Sequence, residues 1–89
     1  MSEVIIMPVH SRLKVLIAAE NLRRAQGSKP PLTVRQLSAE SGVAVSVITG
    51  LTTDKAQRID YKTIDRLCAY FNVGVGDLLV RDQEEQETP

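Results

Sequence analysis

Apolar residues recur at helical spacing in several stretches of this chain, and turn-forming residues mark where each stretch stops. Leu13, Leu16, Ile17 and Leu22 predict a first helix from about Ser11 to Arg24. Gly27-Ser28-Lys29-Pro30-Pro31 then forms a stiff, polar connection. Thr33 is suited to cap a second helix, and Gln36 three residues on completes a reciprocal capping box. Val34, Leu37 and Ala39 supply small or apolar side chains for packing. Gly42 falls where this helix must end, because glycine takes the left-handed conformation at no steric cost. Val43 follows in the turn, and Ile48 and Leu51, three apart, give a third helix one buried face. Its other face carries Val45, Ser46, Thr49 and Gly50, all small. A polar loop from Thr52 to Ile59 leads to Asp60, a good cap for a fourth helix with Ile64, Leu67, Cys68 and Phe71 on one stripe. Residues 72–76 lead to a short final element, Asp77–Val80. Ahead of all these, residues 3–7 read as a β-branched strand ended by Pro8. The pattern shows no repeat and no second domain.

Two short helices folded over a glycine turn form the unit that carries a helix into the DNA major groove. From Leu13 to about Leu79 the chain resembles the helix-turn-helix domain of phage Cro and CI-type repressors, the XRE family. Gly42-Val-Ala-Val-Ser-Val-Ile-Thr-Gly-Leu51 is similar to that family's turn and recognition helix. Arg58-Ile-Asp-Tyr-Lys-Thr-Ile-Asp-Arg-Leu-Cys68 resembles the start of its fourth helix, and Asn72-Val-Gly-Val-Gly-Asp-Leu-Leu79 its closing segment. The resemblance implies an all-α, five-helix, phage-repressor-like fold, and the residue pattern adds a short N-terminal β-strand with a candidate pairing segment near the C-terminus. Residues 1–9 are then a strand or arm, 10–81 the helix-turn-helix domain, and 82–89 an acidic disordered tail.

The function implied is a sequence-specific DNA-binding transcription regulator, a repressor, with double-stranded DNA as its partner. The second helix would lie across the backbone, with Arg35 on a phosphate, while the third presents Ala44, Val45, Ser46 and Thr49 to the bases. Thr52, Thr53, Lys55 and Arg58, with Lys62 at the start of the fourth helix, would hold the flanking strand. The amides at that helix start add a positive dipole end for a phosphate. The chain departs from the family pattern in three places. Ala44 stands where a Ser or Thr cap is common, Gly50 where a larger, often basic residue is, and Val34 where a Gln often bonds the backbone. The recognition helix therefore lacks the Arg, Asn, Gln and Lys suited to two-pronged base recognition. Reading two half-sites as a homodimer would compensate. Val4, Ile5, Ile6 and Met7, together with Leu79, are the candidate pairing residues, within one chain or between two. The alternative is the same fold serving as a protein-interaction module, such as an antitoxin or adaptor, with another protein as its partner.

Charge changes the picture only through its distribution. The net charge is zero, yet residues 1–76 hold ten Lys or Arg against six Asp or Glu. Residues 77–89 hold Arg81 against Asp77, Asp82, Glu84, Glu85 and Glu87. A basic domain with an acidic tail suits a nucleic-acid partner better than the total suggests. Chemistry is short of parts. His10 and Cys68 are the sole residues of their types, expected respectively at the surface or as a cap and buried on the fourth helix. No catalytic pair, metal set or cofactor motif is legible. One cysteine suits a reducing cytoplasm, and no apolar run is long enough for a membrane span.

Overall fold

A computed structural model describes residues 9–81. It contains five helices and a two-stranded sheet: β1 Val9–Ser11, α1 Leu13–Gln26, α2 Val34–Ser41, α3 Val45–Thr52, α4 Tyr61–Phe71, α5 Val75–Leu78 and β2 Leu79–Arg81. β1 and β2 pair antiparallel within the chain, Val9 opposite Arg81, His10 opposite Val80 and Ser11 opposite Leu79. The strand expected at 3–7 lies outside the described residues; the strand seen begins beyond Pro8. Its partner falls within the C-terminal segment that carries Leu79.

That pairing explains why α1 starts at Leu13 rather than Ser11. His10 and Ser11 are extended in the sheet, and the Arg12 amide donates to the Leu78 carbonyl at 2.7 Å. The Ser11 hydroxyl then accepts from the Leu13 amide at 3.1 Å, covering one of the bare amides of the first turn. Leu22 is a correction: it is 62% exposed. The inward stripe continues from Leu13, Leu16 and Ile17 to Glu20, Asn21 and Arg24, which leaves Leu22 on the far side. Asn21 Oδ1 accepts from the Leu32 amide at 2.7 Å, and Leu32, at the end of the stiff connection, is buried instead.

The caps form largely as expected. Thr33 accepts from the Gln36 amide at 3.0 Å, but the reciprocal half of the box is absent. The Gln36 side chain donates to Glu40 at 3.1 Å and accepts from Arg24 at 3.5 Å. Gly42 ends α2 at φ +80°, with its amide on the Ser38 carbonyl. Ala39, expected to pack, is exposed. Asp60 caps α4 by accepting from the Thr63 amide at 3.0 Å. α5 starts at Val75, ahead of the expected Asp77, because the Asp77 carboxylate reaches back to the Gly74 amide at 3.2 Å. Val80, placed by sequence in that final element, belongs to β2.

Leu13, Leu32, Leu37, Val43, Ile48, Leu51, Leu67, Phe71 and Leu78 make one core, contributed by every helix and by the two connections flanking α2. Cys68 packs against it half-buried, and that burial pushes its thiol above the usual range. Among the described residues no polar or charged side chain is buried. The Tyr70 hydroxyl bridges α4 to α2 through Glu40 at 2.5 Å.

Candidate nucleic-acid interface

α2 and α3 pack together across the left-handed turn at Gly42. Burying Ile48 and Leu51 leaves Val45, Ser46, Thr49 and Thr53 on the opposite, exposed side, with Ala44 exposed just before the helix. Ala44 provides no side-chain cap, as its chemistry requires. Among the described residues, the hydroxyls of Ser46 and Thr49 make no hydrogen bond within the protein, so both are available to a ligand. Thr52 and Thr53 differ. Both hydroxyls donate to the Thr49 carbonyl, at 3.1 and 2.8 Å. Their protons are spent closing α3, which leaves acceptor oxygens that suit a phosphate poorly.

Gly50 is also redirected. The sequence pattern places it on the outer face, but the following loop folds over it. Its carbonyl accepts from the amides of Lys55 and Ala56 at 2.9 and 3.1 Å, and the Ala56 side chain lies 3.6 Å from where a Cβ on residue 50 would stand. Asp54 makes this wrap possible by taking φ +60°, a conformation Asp tolerates better than most residues. Its carboxylate accepts from His10 Nδ1 at 2.6 Å and from the Ser11 amide at 3.4 Å. The His10 bond, with the Ser11 amide second, holds the Asp54 carboxyl below the usual carboxylate range. His10 is thus a partly exposed strand residue that anchors the loop and caps no helix. The start of the loop that carries Lys55 and Arg58 is fixed to the sheet through Asp54 and to α3 through the Lys55 and Ala56 amides.

Arg35 lies exposed on α2, Lys55 and Arg58 exposed in the loop, and Lys62 exposed in the first turn of α4. Arg58 borders a shallow recess with Val47, Ile59, Asp60 and Thr63, which puts it beside α3. Among the described residues no carboxylate forms an ion pair with any of these four cations. Glu20 and Glu40 are occupied elsewhere: Glu20 pairs with Arg24 and Arg23, and Glu40 takes the Tyr70 and Gln36 bonds. Leu79, named as a pairing residue, is half-buried against the core opposite Ser11, whereas Val4, Ile5, Ile6 and Met7 lie outside the described residues.

Two residues near the site were not singled out from sequence. Arg66 donates from Nη1 to the Gly42 carbonyl at 3.0 Å, tying α4 to the turn of the two-helix unit. Tyr61, first in α4 and beside Lys62, is 90% exposed. An aromatic at a helix start with no core partner was a visible signal for Tyr61. Nothing local marks Arg66, because its partner is a backbone carbonyl 24 residues away.

Two short helices over a left-handed glycine, with an exposed outer face and cations beside it that form no ion pair among the described residues, define a helix-turn-helix DNA-binding unit. The model of the Cro/C1-type HTH DNA-binding domain matches residues 31–84, over half of the chain, and the chain belongs to that family. The matched segment begins just before α2 and takes in α3, α4, α5 and β2. No curated protein and no solved structure gives a match. Among the described residues, no helix is long and apolar enough to cross a membrane.

Proposed function

We propose that this protein is a sequence-specific transcription regulator that acts as a repressor, by occupying an operator with α3 in the major groove. The observation that carries the reading is the outer face of α3: small side chains, with two hydroxyls unengaged and the cations on the adjoining loop and helix start free of ion pairs among the described residues. Ala44, Val45, Ser46 and Thr49 face the base edges. Arg35, Lys55, Arg58 and Lys62 hold phosphates, and the dipole at the start of α4 adds to the Lys62 contact. Thr52 and Thr53 shape the end of α3 rather than bind the backbone. With so few base-reading groups on one copy, a homodimer on two half-sites supplies the specificity.

The test is Arg35→Ala and Lys55→Ala, singly and together, in duplex binding followed across a salt series. Each lost phosphate contact weakens binding to all sequences alike and flattens the logarithmic salt slope by about 0.9. Unchanged affinity and slope in the double variant would remove the proposed docking. A protein-partner reading draws on a different surface: Val15 and Leu22 on α1 are 49% and 62% exposed and lie seven residues apart on one helix face. Substitutions there leave the salt slope unchanged, which separates the two readings.

A further inference from the structure

We infer that the bases this protein reads are chiefly thymines, recognised through their C5-methyl groups by Val45 and Thr49. This rests on the proposed entry of α3 into the major groove and adds the chemistry of what it meets there. From Ala44 to Thr53 the chain has no amide, guanidinium, ammonium or carboxylate side chain. The paired contacts that single out guanine, adenine or cytosine are therefore beyond the reach of α3's own side chains. The first ionisable side chain after it, Asp54, is held by His10 and Ser11.

What the exposed face does offer is carbon. Val45 presents two methyl groups, and 44% of the residue is open to solvent at the first position of α3. Thr49, one turn on, carries a third methyl on the same face and is exposed as well. Val45 belongs neither to the core nor to the partly buried side chains packed against it. The major groove displays one apolar group, the methyl of thymine, and burying it against Val45 or Thr49 removes apolar surface from water on both sides. The Ser46 and Thr49 hydroxyls donate or accept at several bases and so add little discrimination. Sequence preference falls on the methyls.

The experiment replaces thymine by deoxyuridine, which deletes the methyl and keeps base pairing. Duplexes bound most tightly are selected from a random pool, and each thymine is then exchanged singly and measured by fluorescence anisotropy at fixed salt. One or two exchanges per half-site should weaken binding about 4-fold each, the equivalent of one buried methyl. Val45→Ala should weaken the thymine duplex similarly and lose its sensitivity to one of those exchanges. Thr49→Ser, which keeps the hydroxyl, should do so at another. Both changes are at exposed positions, and circular dichroism checks that the helices persist. Tight binding indifferent to every exchange, or an exchange effect that survives both variants, overturns the methyl reading while leaving DNA binding intact. Selection that yields no preferred duplex overturns both.

Discussion

Two glycines eight residues apart should respond to alanine with opposite signs. Gly50 lies inside α3 with ordinary helical backbone. A Cβ built there meets Ala56 Cβ at 3.6 Å and the Ala56 backbone at 4.0 Å, normal van der Waals contacts. Gly50→Ala therefore adds helix propensity worth about 0.8–1 kcal/mol at no steric cost. For a domain of this size that raises Tm by roughly 4–8 °C. Gly42→Ala adds the same methyl, but the residue sits at φ +80°, and a Cβ there comes within 3.4 Å of the Arg66 guanidinium. Forcing a side chain into the left-handed region costs about 1–2 kcal/mol. Urea unfolding of both variants beside the parent, with slopes compared to establish two-state behaviour, measures the pair. A neutral or destabilising Gly50→Ala would mean that the loop over α3 cannot accept one methyl. A neutral Gly42→Ala would mean that the turn is not held left-handed, and the docking geometry of α3 would fall with it.

Other consequences follow from the caps and the tyrosine. Thr33→Ala and Asp60→Ala should each cost about 1 kcal/mol, read as a drop in urea midpoint. The Asp60 carboxyl is held below its ordinary range by Thr63, through its hydroxyl and then its amide, with Lys62 adding a smaller effect. Its contribution is thus present above the unfolded value of about 3.9 and lost as pH falls below it. The difference between parent and Asp60→Ala should shrink toward acid, and a difference that holds constant below about pH 3 argues against the carboxylate as the cap. Burial, with the Glu40 bond second, pushes the Tyr70 hydroxyl up to about 12. The folded chain keeps that proton after the unfolded one loses it near pH 10, so stability declines between about pH 10 and 12. Tyr70→Phe should abolish the high-pH component of the tyrosinate absorbance titration.

What was legible in the sequence was local. Thr33, Gly42 and Asp60 declare themselves because a cap or a left-handed turn is decided within four residues, and Ile48 and Leu51 because one helix face is decided within a turn. Leu22 misled because its apolar side chain was counted without its angle. The face set by Leu13, Leu16 and Ile17 continues to Asn21, and Leu32 fills the core from a connection that reads as polar. The loop after α3 was read as a string of donors. Its shape depends on Asp54 meeting His10 across 44 residues, and on Gly50 yielding room to Ala56, neither of which has a local signature. Thr52 and Thr53 differ, because their hydroxyls turn back to the Thr49 carbonyl only three and four residues earlier, a local bond that competes with any outside partner.

The measurement that bears most directly on the account is the ratio of affinities, at physiological salt, for a duplex selected by the protein from a random pool and for unrelated duplex of equal length. A sequence-specific regulator should prefer its selected site by at least about 10³-fold, and two-fold symmetry in that site would give the half-site spacing of a dimer. Equal, weak binding to both that disappears as salt rises toward 0.2 M, on the order of a purely phosphate-driven contact, would contradict a base-reading role for α3.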